Sequence, residues 1–283
     1  MINMQRQKGF TLVELAIVLV IVGLLIGGIL KGQELMQNAR VTATVAQLKS
    51  MEAAVTNFYD VYKEKPGDLL SPQTRIKGCA NCTITAGAGN QLGNGKVGMV
   101  NWTFQDQLRS FVTGTPFSDA QAESVLFWYE LLMAGLISGV TDEAIAGTTT
   151  AANFSLGGAV PEMKVGGGLW AGNSSGTGPA FATLGKAAAN NYGVRGTVLV
   201  TVTKATQNPS VVGGVQPFYP RDAANMDRKL DDGLPHTGNI ESYGGVHTAT
   251  AGDPDCVQGT SDSSVYSENV NSKDCGLVIR IFK

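Results

Sequence analysis

Residues 8–14 read Lys-Gly-Phe-Thr-Leu-Val-Glu, and this stretch decides the fold because it opens a long apolar segment. The segment runs for 21 residues from Phe10 to Leu30, and its one charged residue is Glu14. A helix of this length spans about 30 Å, which is the thickness of the hydrocarbon core of a bilayer. An acid in the middle of that core costs roughly 2.5–3.5 kcal/mol, so it normally has a partner or a function. The stretch therefore predicts a membrane-spanning helix in which Glu14 has a specific role.

A cleavage between Gly9 and Phe10 would supply a cation for Glu14. The new α-ammonium would lie on Phe10, four residues before Glu14 and therefore on the same face of the helix. The pair can form within one chain or between two helices packed side by side. The alternative is an ordinary signal anchor with an incidental acid. A cleaved secretory signal fits poorly, because its apolar region is shorter and ends at a small-residue cleavage site.

These residues resemble a known family. The short basic leader, the Gly9–Phe10 junction, Thr-Leu-Val-Glu at 11–14 and the apolar helix resemble the class III signal of type IV pilins and type II secretion pseudopilins. The resemblance implies that a prepilin peptidase removes residues 1–9 and that Phe10 is N-methylated. It also implies a precursor in the inner membrane, an inner-membrane assembly platform and a helical, extracellular homo-oligomeric filament, in which Glu14 meets the Phe10 amine of an adjacent subunit.

Composition and charge agree with an exported, loop-rich protein. The net charge is −2, and the chain has 36 glycines and only 16% charged residues. Arg6 and Lys8 precede the apolar helix, which predicts a cytoplasmic N-terminus and an exported C-terminal part. Lysine and arginine are otherwise scattered, so we expect no nucleic acid partner. The sequence shows no nucleophile elbow, no His-Glu-x-x-His and no phosphate loop, and we expect no enzyme and no cofactor.

The residues after the apolar segment predict an α+β fold. Residues 31–62 continue the helix in amphipathic form, with apolar side chains at spacings of three and four that predict one buried stripe. This stripe comprises Val41, Val45, Leu48, Met51, Val55, Phe58 and Tyr62. We therefore divide the chain into a leader (1–9), a transmembrane or filament-core helix (10–30), an amphipathic helix (31–62) and a globular α+β head (63–283). The long helix would pack on an antiparallel sheet with long loops, as in pilins.

Within the head, a few elements are predictable. Ser118 begins a second helix, in which Trp128 and Tyr129 are expected in the core. Residues 196–203 predict a strand in which Val198, Val200 and Val202 share one face, and its expected antiparallel partner is 277–282. Residues 222–233 predict a short helix with Asp222 as its N-terminal cap.

Four cysteines are present, and in an exported domain they predict disulfides. They are Cys79, Cys82, Cys256 and Cys275. Three pairings are possible, and local pairing is the simplest. A bond between Cys256 and Cys275 would also resemble the C-terminal disulfide loop of type IV pilins. Cys79-Ala80-Asn81-Cys82 is compatible with a tight disulfide, a redox pair or half of a zinc site.

Acidic residues near the C-terminus suggest one metal site. Some pseudopilins bind calcium through an acidic C-terminal loop, and hard oxygen ligands for calcium would come from Asp231, Asp232, Asp253 and Asp255. Their spacing is not that of an EF-hand, and Asp-Gly and Asp-Pro pairs are also common in turns. Calcium and turn formation both remain open.

The sequence leaves two functions open. In the first, the protein is a structural filament subunit. In the second, it is a minor or tip subunit, or a secretion pseudopilin, whose large head binds a surface, a substrate or DNA.

Overall fold

The computed structural model shows a long N-terminal helix combined with an antiparallel sheet, an α+β arrangement consistent with a pilin-like fold. It describes residues 11–80, 82, 92–97, 119–141, 156–158, 160–174, 196–202, 216–244, 256–259 and 263–282. The helices in these residues are α1 (Leu12–Tyr62), α2 (Pro72–Arg75), α3 (Asp119–Met133) and α4 (Pro220–Leu230). The strands are β1 (Gly168–Ser174), β2 (Gly196–Val202), β3 (Ile240–Gly244), β4 (Val257–Gln258), β5 (Val265–Tyr266) and β6 (Cys275–Phe282).

Helix α1 has 51 residues and is about 76 Å long. The predicted apolar stripe of its second half is buried, with Tyr62 half-buried at its end. The helix stops because Lys63 adopts a left-handed conformation (φ 62°), and the Lys63 N–H donates to the Tyr59 carbonyl at 2.7 Å. This stop lies just before Pro66-Gly67, a pair that favours a turn over a helix. The periodic pattern of the sequence therefore identified both the helix and its buried face.

The main sheet has the strand order β1-β2-β6-β3, and all neighbours in it are antiparallel. The predicted pairing of β2 with the C-terminal strand is confirmed, with Val200 opposite Val278. The sheet and the second half of α1 share one core, and the rings of Tyr59 and Phe282 lie 5.4 Å apart. The C-terminal strand thus lies in the interior of the sheet and against the helix.

Helix α3 contributes buried side chains to the core of the head. The prediction that Trp128 and Tyr129 belong to the core is confirmed, since both are buried, while the predicted start at Ser118 lies outside the described residues. Two acidic side chains of α3, Glu123 and Glu130, are completely buried as well. The apolar pattern of this helix did not predict that these two acids are buried.

The segment after α1 docks on α3 through Gly67. Gly67 has φ +80°, and a β-carbon at this position would lie 2.4 Å from the Glu123 carbonyl oxygen and 3.1 Å from the Phe127 α-carbon. Its N–H donates to Glu130 Oε2 at 2.7 Å. Only glycine allows both the left-handed conformation and this close approach of two backbones.

We expect Gly67→Ala to destabilise the head by more than Gly78→Ala, measured by thermal unfolding of the full chain in detergent. Gly78 has a similar φ of +87°, but no atom lies within 4 Å of its would-be β-carbon. In the control variant Gly78→Ala, the only cost is that of placing alanine in a left-handed conformation, on the order of 1 kcal/mol. In Gly67→Ala, the clash with α3 adds to that cost. Equal losses in the two variants would contradict a close approach at Gly67.

Helix α4 corrects one prediction, because Asp222 is not its cap. Tyr219 is the N-cap and Pro220 occupies the first helical position, where its fixed φ and missing N–H carry no cost. Asp222 lies in the first turn, is buried and accepts a hydrogen bond from Gln37 Nε2 of α1 at 2.5 Å. The N-cap therefore lies three residues earlier than predicted because Pro220 begins the helix, and the Asp222 carboxylate forms a contact between α4 and α1.

Both cysteine pairs are disulfides in the structure, Cys79–Cys82 and Cys256–Cys275. The first closes a tight turn, in which the Cys82 N–H donates to the Cys79 carbonyl at 2.9 Å. The second joins the residue before β4 to the first residue of β6, so it ties the small sheet to the main sheet. All four cysteines are buried.

Candidate functional site

The first half of α1 exposes a continuous apolar surface. Every described residue from Thr11 to Met36 is exposed, including Leu12 at 87% and Leu24 at 72%. By length and composition α1 is the one helix in the described residues suited to cross a membrane. Monomeric soluble proteins rarely expose apolar patches of more than a few hundred Å². This surface therefore requires lipid or other apolar helices around it.

The N-terminus of α1 is organised by Thr11 and Glu14. The Thr11 hydroxyl accepts the Glu14 N–H at 3.2 Å, and Glu14 Oε2 accepts the Thr11 N–H at 2.8 Å and the Thr11 hydroxyl at 2.9 Å. This is a reciprocal capping box, which satisfies two N–H groups that the helix itself leaves unpaired. Thr-x-x-Glu directly before an apolar run is the sequence signature of this capping box, and it was not among the predictions.

The predicted partner of Glu14, the amine of Phe10, and the predicted cleavage residue Gly9 lie outside the described residues. Glu14 nevertheless stands in the first turn, and the apolar run that follows it to Leu30 makes about four turns. When this surface is covered by hydrocarbon, the carboxylate loses its hydration, and only a cation or a proton can compensate for that loss. The arrangement is suited to hold one positive group at the start of the helix.

The structure brings Asp231 and Asp232 together with a third acid, Asp227, so that oxygen atoms from the three lie within 4.8 Å of one another. Their oxygens already accept hydrogen bonds from the following turn. Asp231 Oδ2 accepts from the N–H groups of Asn239 and Ile240, and Asp232 accepts from the Leu234 N–H and the Thr237 hydroxyl. Asp253 and Asp255 lie outside the described residues. The calcium site stays a prediction, and turn formation explains the contacts of Asp231 and Asp232.

Asp227 is buried behind this turn. Its carboxylate accepts the Tyr266 hydroxyl at 2.9 Å and the Gly233 N–H at 3.2 Å. Burial raises the pKa of Asp227 to about 7, against the lowering effect of these two hydrogen bonds, and the neighbouring charges of Asp232 and Asp231 raise it further. Asp227 thus joins α4 to β5 and changes its charge near neutral pH.

A second set of buried carboxyl groups lies where the end of α1 docks on α3. Burial raises the pKa of Glu130 well above its usual range, and the charges of Asp68, Glu64 and Glu123 add to that effect against the Gly67 hydrogen bond. Burial also raises the pKa of Asp68 to about 6, although Asp68 accepts the N–H groups of Asn94 and Gly95 at 3.0 and 2.7 Å. The periodicity of the sequence contains no signal for these groups.

The N-terminal segment matches a family model described as the prokaryotic N-terminal methylation motif, over residues 4–30. The match covers the basic leader, the Gly9–Phe10 junction, the capping box and the exposed apolar half of α1. It does not extend into the head. No curated protein and no solved structure is significantly similar to the chain.

Proposed function

The chain carries the prepilin-type N-terminal methylation motif that is the hallmark of type IV pilins and pseudopilins, and from this premise we propose that it is a structural subunit of a helical surface filament. A prepilin peptidase cleaves after Gly9, and the new N-terminal Phe10 is methylated. The precursor is held in the inner membrane by residues 10–30 until an assembly platform moves it into the filament. The motif points to a structural protein and not to an enzyme.

One observation carries this proposal, the uncovered apolar half of α1. Its side chains from Leu12 to Leu30 have no cover within the described protein, and a polymer of parallel helices provides that cover without lipid. Burial of apolar surface contributes about 25 cal/mol per Å², so each additional neighbouring helix adds several kcal/mol. The same helix therefore serves first as a membrane anchor and then as the filament core.

Within the filament, Glu14 pairs with the Phe10 amine of an adjacent subunit. Both groups are removed from water when the apolar helices pack, so a helix shifted along its neighbour leaves two buried charges without partners. The pair thereby sets the axial position of one subunit against the next. This register function follows from charge burial and would be absent in a helix that only anchors the protein.

The test is the mass of the mature N-terminal peptide from the sheared surface fraction. We expect a peptide that begins at Phe10 and carries one methyl group on its amine. A surface protein that begins at Met1 contradicts processing and leaves a plain membrane-anchored domain. The matched control is the leader variant Gly9→Val, which is expected to block cleavage and to leave the precursor in the membrane.

The size of the head supports a second candidate, a minor or tip subunit or a secretion pseudopilin whose head binds a surface, a substrate or DNA. The predicted head, residues 63–283, is 221 residues long, which is more than covering the buried stripe of α1 requires. Abundance separates the two candidates. A major subunit dominates the protein of sheared filaments, whereas a tip subunit is present in only a few copies per filament.

A further inference from the structure

Basic side chains gather at the level where the apolar half of α1 ends. Lys31 directly follows Leu30, is exposed and donates to Glu34 Oε2 at 2.6 Å. It is the first charged residue after Glu14 along the helix. Its ammonium group therefore marks the boundary between the apolar segment and the polar surroundings of the head.

The head reaches the same level through the beginning of α4. Gln37 of α1 donates to Asp222 in the first turn of α4 at 2.5 Å, which fixes this end of the head against the helix. Arg221 precedes Asp222 and is exposed. The hydrogen bond and the charge of Lys31 lower the pKa of Glu34, and the charge of Arg221 adds a smaller effect in the same direction. Because Asp222 contacts Gln37, one turn after Glu34 along α1, Arg221 lies in the neighbourhood of the Lys31–Glu34 pair.

Lys273 completes the group from the chain before β6. Its Nζ lies 5.6 Å from the ring centroid of Tyr219, the N-cap of α4, and it is exposed. We refer to these three cations as the juxtamembrane basic cluster: Lys31, Arg221 and Lys273. Three acids lie beside the cluster: Glu34, which is paired with Lys31, Asp222, on which the charges of Arg221 and Lys273 act, and Asp274. Of these acids only Glu34 is exposed, so the exposed side chains of this surface are three cations and one carboxylate.

The height of the cluster follows from the geometry of the helix. At 1.5 Å per residue, Glu34 lies about 6 Å and Gln37 about 10 Å beyond Leu30 along the axis. The headgroup layer on one side of a bilayer is roughly 5–7 Å thick. Lysine and arginine side chains extend several Å further toward polar groups at such an interface. With the apolar segment in the hydrocarbon core, Lys31 lies at the depth of the lipid phosphates. Arg221, next to the Asp222–Gln37 contact, lies a few Å above the headgroup layer and reaches it with an extended side chain. Lys273 lies beside Tyr219 at the same end of α4.

We propose that the juxtamembrane basic cluster binds the anionic headgroups of phospholipids on the exported face of the membrane and holds the head against the bilayer before assembly. This inference rests on the proposed function, because it requires the first half of α1 to span the membrane. Each basic residue near an anionic surface contributes about fivefold to the ratio of surface-bound to released heads. Salt weakens the effect, since the charges act within a Debye length of the phosphates. Extraction into the filament then has to break these contacts.

The experiment uses the full chain reconstituted in vesicles of phosphatidylcholine, with and without phosphatidylglycerol. A nitroxide on Asn271→Cys, an exposed position two residues before Lys273, reports proximity to a paramagnetic nickel-chelating lipid. We expect close contact only with phosphatidylglycerol, and loss of that contact at high salt. The variant Lys31→Gln/Arg221→Gln/Lys273→Gln is expected to lower the ratio of bound to released heads by on the order of a hundredfold.

The matched control removes three charges from the opposite end of α1, about 46 Å away. Lys63 follows the helix, Lys77 follows α2, and Lys96 adjoins the Gly95 carbonyl that Lys65 binds at 2.9 Å. The variant Lys63→Gln/Lys77→Gln/Lys96→Gln is expected to keep the contact with anionic lipid. Thermal unfolding of both triple variants checks that the heads are folded.

The outcomes separate this inference from the proposed function. Protein that fails to float with the vesicles after alkaline extraction contradicts the membrane-spanning helix and with it the proposed function. Protein that is inserted but shows equal proximity in both lipids, or equal losses in the two triple variants, overturns the lipid contact alone. A cluster variant with unchanged lipid proximity but low filament yield also overturns it and assigns the cluster to contacts with a second copy of the chain.

Discussion

Glu14→Gln is expected to yield protein that is cleaved after Gly9 but assembles into filaments at least tenfold less well than the wild type. The charge on the Phe10 amine of the neighbouring subunit would then be buried without a counterion. Breaking one partner of a buried ion pair typically costs about 3–5 kcal/mol, which corresponds to a hundredfold or more in association. The measurement is the amount of subunit in the sheared filament fraction, relative to the amount of cleaved protein in the membrane.

Glutamine is the informative replacement because the structure assigns Glu14 a second role. Its carboxylate accepts the Thr11 N–H at 2.8 Å and closes the capping box of α1. Glutamine also serves in capping boxes, since its amide oxygen accepts the same N–H. Glu14→Gln therefore removes the charge and keeps the cap, which Glu14→Ala or Glu14→Val does not.

Thr11→Ala is the complementary variant. It removes the hydroxyl that accepts the Glu14 N–H at 3.2 Å and keeps the charge of Glu14. A lost N-cap costs about 1 kcal/mol locally, so we expect filament yield close to that of the wild type. If Thr11→Ala abolishes assembly and Glu14→Gln does not, Glu14 acts as a cap and the proposed pairing with Phe10 is wrong.

Acidification is expected to stabilise the head against thermal unfolding, in contrast to most proteins. Burial raises the folded-state pKa of Asp68 to about 6 and that of Asp227 to about 7, from an ordinary value of 3.8. A folded state that binds protons more tightly than the unfolded chain gains stability as these carboxyl groups become protonated. The contribution is complete below about pH 4 and is lost as the pH rises through 6 and 7. Glu130 acts in the same direction.

We expect the Tm of the full chain in detergent to rise by roughly 5 °C or more between pH 8 and pH 5, since 1 kcal/mol corresponds to about 2–4 °C at this size. Glu130→Gln mimics the protonated side chain, and its amide oxygen still accepts the Gly67 N–H. This variant should be at least as stable as the wild type at pH 8 and should show a smaller pH dependence. Glu52→Gln, which removes an exposed carboxylate of α1, is the matched control. A Tm that falls steadily from pH 8 to pH 5 in the wild type contradicts this assignment.

Several parts of the fold were predictable because their signals are local. The 21-residue apolar run and the stripe from Val41 to Phe58 define α1, since spacings of three and four identify one face of a helix without reference to any other element. The alternation in 196–203 likewise predicted β2, and the apolar C-terminus was the natural partner for it. The capping box of Thr11 and Glu14 has a local signal as well, the Thr-x-x-Glu pattern, although it was not predicted.

By itself, the sequence determined the long helix, its division into an exposed apolar half and a buried amphipathic half, and the motif at residues 4–30. Only the tertiary structure decided that Gly67 lies on α3 beside Glu130, and that Asp222 of α4 contacts Gln37 of α1. These pairs are separated by 63 and 185 residues along the chain. Their proximity depends on how α3 and α4 dock against α1. This docking is set by the packing of the whole core, so no periodic pattern within a single segment predicts it.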